Sequence, residues 1–418
     1  MLVLLVGDAR ANNNVSLVGG NTGSYGVFSG ASHGIFYAQS RFWAFYFVDF
    51  AQGIFYSVSP VGLTWPTACR STVGGSFSCH GGGVLPGLGC FGAPNFTPYC
   101  LDVDQWVVTN DGTYAYFAFS ADDGVWFAFA QLNSDGTLTF NTIGGRPPNT
   151  SGGSPPNGYW LKKVSDEGEG VLGPPTRLSI GVNGEGHVFI AYSGSTCGLC
   201  AFDSSGSPYT SWTNSLRVAE AFSSPVIFPY QPGQMMVVGG NYANIWNGSW
   251  GTPTLLSGND GVRDSYAFSA RGTVYLFEAS SRCQHGSDSE CVGFFTFNGE
   301  RWSEEHATNV PLNHRYGIRP FEMTYDGSKD RFLIFTRDAT STVLYEYSAQ
   351  AHSTFYRTTP IATGRVSIDD MTSVETTNVN ATLHIDDLAV AWMEPRSCLS
   401  CPPDEVFSPM YVYVGPTP

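Results

Sequence analysis

Lysine is almost missing from this 418-residue chain: Lys162, Lys163 and Lys329 are the only three, and charged residues of every kind make up 13% of it. That is about half the usual share. With a formal net charge of −15, the molecule would be repelled by a phosphate backbone or an anionic lipid surface, so nucleic-acid and membrane-surface binding are set aside. Long apolar runs are missing too, none approaching the ~20 residues of a membrane-spanning helix. Stretches with the Ala/Leu/Glu/Lys periodicity of a helix are few. No GxxxxGK[ST] loop, HxH or HxxxH pattern occurs, which removes the simplest phosphate and metal motifs.

What is present suits short strands and tight turns. Hydrophobic residues reach 42%, aromatics 14%, and there are 49 glycines. A chain so rich in aromatic and apolar side chains has ample surface to bury, and Gly supplies the turns. The segment Met1–Val6 is read as a strand, although Ala9-Arg10-Ala11 resembles a leader cleavage site. Gly415-Pro416-Thr417-Pro418 at the other end resembles the start of a Pro/Thr-rich stalk.

Ten cysteines fall into five local pairs: Cys69/Cys79, Cys90/Cys100, Cys197/Cys200, Cys283/Cys291 and Cys398/Cys401. An even count in near neighbours reads as a disulfide framework and an oxidising, extracellular compartment. The two CxxC motifs leave a four-thiolate zinc site or a redox motif open. Against those, three pairs recur at one place, the loop after a strongly apolar strand. Five N-x-S/T sequons, at Asn14, Asn95, Asn149, Asn247 and Asn380, offer sites for glycans.

Internal repetition is the main organising signal. A unit of short strand, Gly/Asp turn, apolar strand, loop, apolar strand and aromatic-bearing turn recurs. Its strongest strands start near Phe42, Tyr114, His187, Gln234, Val274, Arg331 and Leu388. Runs such as Phe42-Trp43-Ala44-Phe45-Tyr46-Phe47 are apolar on both faces, as a strand sandwiched between neighbouring sheets requires. The expectation is therefore an all-β, seven-bladed β-propeller of four-stranded antiparallel blades, stapled by disulfides and forming one domain over residues 1–418. Loop insertions are expected at about 66–104 and 144–175, and Met1–Val6 is expected to complete the last blade. A pair of β-sandwiches is the alternative.

The aromatic turn resembles a degenerate Asp-box, the structural hairpin of sialidase-like propellers. Gly62-Leu63-Thr64-Trp65 is the best match, with Pro60 where Asp is expected, and Asn298-Gly299-Glu300-Arg301-Trp302 keeps the Gly and Trp. A sialidase would add an arginine triad, and Arg41, Arg70, Arg271 and Ile318-Arg319-Pro320 do not fall into its frame. Asp8, Asp49, Asp264 and Glu322 offer carboxylates for a glycosidase. The acidic pairs Asp122-Asp123, Asp369-Asp370 and Asp386-Asp387 offer oxygen ligands for Ca²⁺ but lack its loop spacing, and His187 and His384 stand alone, so no cofactor is expected and Ca²⁺ is the alternative. The leading functional expectation is a non-enzymatic, secreted building block of an extracellular assembly, partnered by itself or by other extracellular proteins and glycans. The alternatives are a lectin-like propeller using Trp65, Trp160, Trp246 or Trp250, and a glycoside hydrolase.

Overall fold

The computed structural model describes residues 15–22, 34–48, 53–61, 65, 70–71, 77–78, 83–84, 105–121, 124–141, 143, 162–165, 176–194, 198–218, 225–256, 265–270, 272–280, 290–312, 321–326, 330–337, 343–349, 354–363, 367–373, 387–393, 396–397 and 406–416. All regular structure among them is strand. Sheet 1 comprises Ile35–Ala38, Arg41–Val48, Gly53–Ser59 and Gly83–Val84. Sheet 2 comprises Gln105–Asn110, Tyr114–Ala121, Gly124–Leu132 and Leu138–Phe140, with Lys162–Ser165 also pairing onto its third strand. Sheet 3 is Thr176–Val182, Val188–Gly194, Gly198–Ser204 and Trp212–Val218, and sheet 4 is Val226–Pro229, Met235–Gly239, Tyr242–Trp246 and Thr254–Leu255.

Sheet 5 is Tyr266–Ala270, Thr273–Ser280, Glu290–Phe297 and His306–Leu312; sheet 6 is Glu322–Asp326, Arg331–Arg337, Val343–Ala349 and Tyr356–Thr363. Sheet 7 joins Ser367–Ser373, Asp387–Met393 and Val406–Pro416 to Val15–Thr22, with Arg396–Ser397 as a side pairing. A two-stranded ribbon, Arg70–Ser71 with Phe77–Ser78, stands apart. Every pairing is antiparallel.

Successive sheets pack face to face, because their middle strands are apolar on both sides. In Tyr114–Ala121, Phe117 and Phe119 enter the core shared with sheet 1, while Tyr116 and Ala118 enter the core shared with sheet 3. This is the alternation of a strand with two buried faces, and burying each such ring is worth roughly 1.5–3 kcal/mol. Further shared cores join sheets 3 and 4, 4 and 5, and 5 and 6. Sheet 6 touches sheet 7, and sheet 7 touches sheet 1, so the series returns on itself. The architecture is that of a β-propeller.

Four expectations are corrected or cut back. The blades are not uniformly four-stranded: five sheets have four strands and two have five. The 66–104 and 144–175 segments are not merely loops, since Gly83–Val84 and Lys162–Ser165 extend sheets 1 and 2 at their outer edges. The strand that closes the ring is Val15–Thr22, with Val15 opposite Tyr413; Met1–Val6 lies outside the described residues.

The fourth is the framework of five local staples, of whose ten cysteines the described residues include two. Cys200 and Cys291 are buried, and each is disulfide-bonded, not to the other but to a cysteine outside the described residues. Cys69, Cys79, Cys90, Cys100, Cys197, Cys283, Cys398 and Cys401 all lie outside the described residues. Among the described residues, therefore, none of the pairings Cys69/Cys79, Cys90/Cys100, Cys197/Cys200, Cys283/Cys291 and Cys398/Cys401 is seen. What holds the described blades is the apolar packing between sheets.

The aromatics that follow the third strands of sheets 5 and 6, Trp302 and Phe355, enter the cores those sheets share with sheets 4 and 5. Trp65, Trp302 and Phe355 are buried, and Trp302 lies 5.1 Å from Phe297. Turns between first and second strands are fixed by short polar side chains. Asp111 Oδ1 accepts from the backbone N–H groups of Thr113 and Tyr114 at 2.8 and 2.7 Å, with Gly112 at φ +85° between them.

Candidate functional site

First strands adjoin one another around the ring: Gln105–Asn110 touches Thr176–Val182, which touches Val226–Pro229, which touches Tyr266–Ala270. They therefore line the axis, and their starting residues gather at one end of it. Two of those starting residues are ionisable, Tyr266 and Glu322. Tyr266 opens sheet 5, Glu322 opens sheet 6, and the Tyr266 hydroxyl donates to Glu322 Oε1 at 2.6 Å. Both are almost wholly buried, at 4% and 1% exposure.

Local packing explains the contact. Tyr266, Phe268 and Phe277 enter the core between sheets 5 and 6 together with Phe321 and Met323. The Tyr266 ring stands edge-on to Phe321 at 5.3 Å, which aims its hydroxyl at the residue following Phe321. A buried carboxylate bonded to a phenol at this distance is a strong, charge-assisted pair.

Glu278, also buried, sits at the same end but on the other face of sheet 5. It follows Phe277, the cross-strand partner of Tyr266, and its facing neighbours Val274 and Leu276 belong to the core shared with sheet 4. Among the described residues, the geometry thus brings one carboxylate to Tyr266, with a second held behind it. No group of three or more His, Cys, Asp or Glu suited to a metal occurs among the described residues.

Of the four carboxylates expected from sequence, Glu322 is in this site, and Asp8, Asp49 and Asp264 lie outside the described residues. Tyr266 was not anticipated; its signal is positional, since it and Glu322 occupy the same place in consecutive repeats. The tryptophans suggested as sugar platforms are packed instead. Trp246 is 6% exposed and meets Phe189 edge-on at 4.9 Å, Trp65 is buried, and half-buried Trp250 also lies on Phe189. Trp160 lies outside the described residues.

Arg41 holds the Ser134 carbonyl at 2.7 Å across the boundary of sheets 1 and 2, a structural role. His187 lies 5.8 Å from Trp246, its ring tilted 53° to the indole; His384, Arg271, Ile318-Arg319-Pro320 and Asp122-Asp123 lie outside the described residues. So do Asn14, Asn95, Asn149 and Asn380, while Asn247 is exposed in a hairpin turn. No described helix is long and apolar enough to cross a membrane.

Over nearly its whole length the chain is similar in fold to two polysaccharide lyases. The polysaccharide lyase Uly1 superposes with a TM-score of 0.50 at 9% identity, covering 94% of this chain and 92% of that one. A PL25 ulvan lyase bound to -[GlcA(1-4)Rha3S]- gives a TM-score of 0.51 at 9% identity, over 94% of this chain and 95% of that one. The family 117 glycoside hydrolase Zg3597 of the marine bacterium Zobellia galactanivorans gives 0.37 at 10% identity, over 96% and 90%. No family profile matches the chain, and no curated protein matches it.

At such identities the likeness is one of fold, and it establishes the propeller without establishing the Asp-box type. The turn at Asn298 is structural: its Oδ1 accepts from the N–H groups of Glu300 and Arg301, both at 3.1 Å. The expectation of a non-enzymatic structural or adhesive building block is corrected. Its neighbours over the full length are glycan-processing enzymes, so the repeated architecture is no argument against catalysis. A specific pair also interrupts the repeat, at Tyr266 and Glu322.

Proposed function

We propose that this protein is a secreted carbohydrate-active enzyme that cleaves a polysaccharide at the strand-start end of a seven-bladed ring, with Tyr266 and Glu322 as its proton-transfer pair. The observation that carries the reading is the buried 2.6 Å hydrogen bond between them. Whole-chain likeness in fold to two polysaccharide lyases supports the substrate class. The disulfide-bonded Cys200 and Cys291 support an oxidising compartment.

The chemistry favoured is β-elimination at a uronic acid. Glu322 takes the Tyr266 proton as the phenolic oxygen removes the hydrogen on the carbon beside the sugar carboxylate. The electron pair forms a carbon–carbon double bond, the glycosidic carbon–oxygen bond breaks, and the leaving oxygen takes the proton that Glu322 had received, so that Tyr266 ends as the phenol and Glu322 as the carboxylate. Hydrolysis by two opposed carboxylates needs both on the substrate, and here Glu278 faces away from Tyr266.

The test is to incubate the folded protein with uronic-acid polysaccharides and neutral ones, following reducing ends and the ultraviolet absorbance of the unsaturated product together. Tyr266→Phe and Glu322→Gln are each expected to lower turnover at least ~100-fold in protein that still folds, with a lowered melting temperature from the buried bond each one removes. Reducing ends without absorbance would replace elimination by hydrolysis. Full activity in both variants, or no cleavage of any polysaccharide, would overturn the assignment.

A further inference from the structure

Three Asn-Gly turns are described, and their asparagines differ in one respect. Asn183 is 2% exposed; its Oδ1 accepts from the N–H groups of Glu185 and His187, and its Nδ2 donates to the Gly233 carbonyl at 3.1 Å. Asn298 is exposed, but its Oδ1 is held by two backbone N–H groups. In the third turn Asn247, Gly248 and Ser249 are all exposed. The backbone alone closes this turn, through Asn247 N–H to the Ser249 carbonyl at 3.0 Å. Gly248, in the middle of the three-residue loop between the paired Trp246 and Trp250, has φ +77° and open space around it, a conformation glycine takes without steric cost. The Asn247 amide is not part of what holds the turn.

That amide also heads the sequon Asn247-Gly248-Ser249. We propose that Asn247 is an N-glycan acceptor, its Nδ2 joined to the anomeric carbon of an oligosaccharide delivered on a lipid pyrophosphate. The carbon–phosphate oxygen bond breaks, the pyrophosphate lipid leaves, and the amide nitrogen loses one proton. The inference rests on the secreted placement proposed above and not on the catalytic pair. Asn247 follows the third strand of sheet 4, so it lies at the end of the ring opposite the starts of the first strands. A glycan there stands clear of Tyr266 and Glu322.

The experiment is secretion of the full chain, behind a cleavable leader, from a eukaryotic cell line. Glycans are released enzymatically in heavy-oxygen water and the peptide spanning Asn247 is read by mass spectrometry. The expected result is heavy-oxygen aspartate at 247, lost in Ser249→Ala, with melting and any polysaccharide cleavage unchanged by that substitution. Secreted, folded protein with unmodified Asn247, or with ordinary deamidation there and no heavy oxygen, overturns the inference. A folded chain that is retained in the cell and never exported counts instead against the secreted placement on which the inference stands, and removes it on that ground.

Discussion

Asn309 and Phe355 hold one another by two hydrogen bonds across the outer boundary of sheets 5 and 6. The Asn309 Nδ2 donates to the Phe355 carbonyl at 2.8 Å, and the Phe355 N–H donates to Asn309 Oδ1 at 2.7 Å. One side chain thereby satisfies both backbone groups of a residue in the neighbouring sheet, just before that sheet's outermost strand. Asn309→Ala leaves both without this partner and is expected to cost about 1–3 kcal/mol. Chemical denaturation checks it, with Asn309→Asp, which keeps the acceptor alone, falling between the two.

Gly293 is expected to resist even alanine. A methyl group there would stand 2.7 Å from Ser280 Cβ and 2.7 Å from Glu305 Oε1, and Ser280 is fixed on the adjoining strand. Gly293→Ala should destabilise by roughly 1–3 kcal/mol through overpacking. Gly112→Ala gives a contrast, since its φ of +85° is unfavourable to alanine although nothing lies within 4 Å. Paired thermal melts separate crowding from backbone strain, and an unchanged melting temperature for Gly293→Ala would refute the first.

Trp246→Ala should read out as lost stability and not as lost sugar affinity. The ring is 6% exposed and packs on Phe189 and His187, so removing it opens a cavity costing about 3–5 kcal/mol. Urea titration measures the cost. Glycan binding weakened in a variant of unchanged stability would restore the platform reading.

Alkaline stability follows from three buried phenols. Burial pushes the Tyr46 phenol up to about 12, a rise its hydrogen bond to Ser57 partly offsets. Burial likewise raises Tyr116, aided by the nearby Tyr209 and Asp111, and raises Tyr209 against the opposing bond from Tyr116. Above about pH 10 the unfolded chain loses these protons while the folded one keeps them, so stability falls as pH rises. It is intact below the ordinary tyrosine value and is lost through the folded values. A phenolate absorbance titration should therefore show late tyrosines appearing together with loss of tertiary circular dichroism. Reversible titration of all 21 tyrosines in a still-folded protein would contradict this.

Much of this fold was legible because its middle strands are apolar on both faces. Phe42, Tyr114 and Val274 begin or enter second strands as expected, and the turns at Asp111 and Asn183 carry the residues such turns need. The additional edge strands were not legible. Gly83–Val84 and Lys162–Ser165 are short and lie in Gly- and Pro-rich surroundings, where pairing is decided by the sheet edge they meet and not by their own pattern. The closing strand was not legible either, since Val-Ser-Leu-Val-Gly-Gly is a weaker apolar run than Met1–Val6. Glu322 could be named as one acidic residue among many. Its partnership with Tyr266 depends on two repeats meeting at the axis, a juxtaposition created only by stacking.

The closing ladder has a mechanical consequence. Val15 lies opposite Tyr413, and Thr22 opposite Ser408, in an antiparallel pair. Chain leading into Val15 and chain leaving Pro416 therefore depart from the same end of that ladder. Tension applied through the two would load its rungs one after another, as a zipper is opened, and not all at once in shear. The ring should yield at this seam under low force, releasing sheet 7 while the cores shared by sheets 1 to 6 still hold.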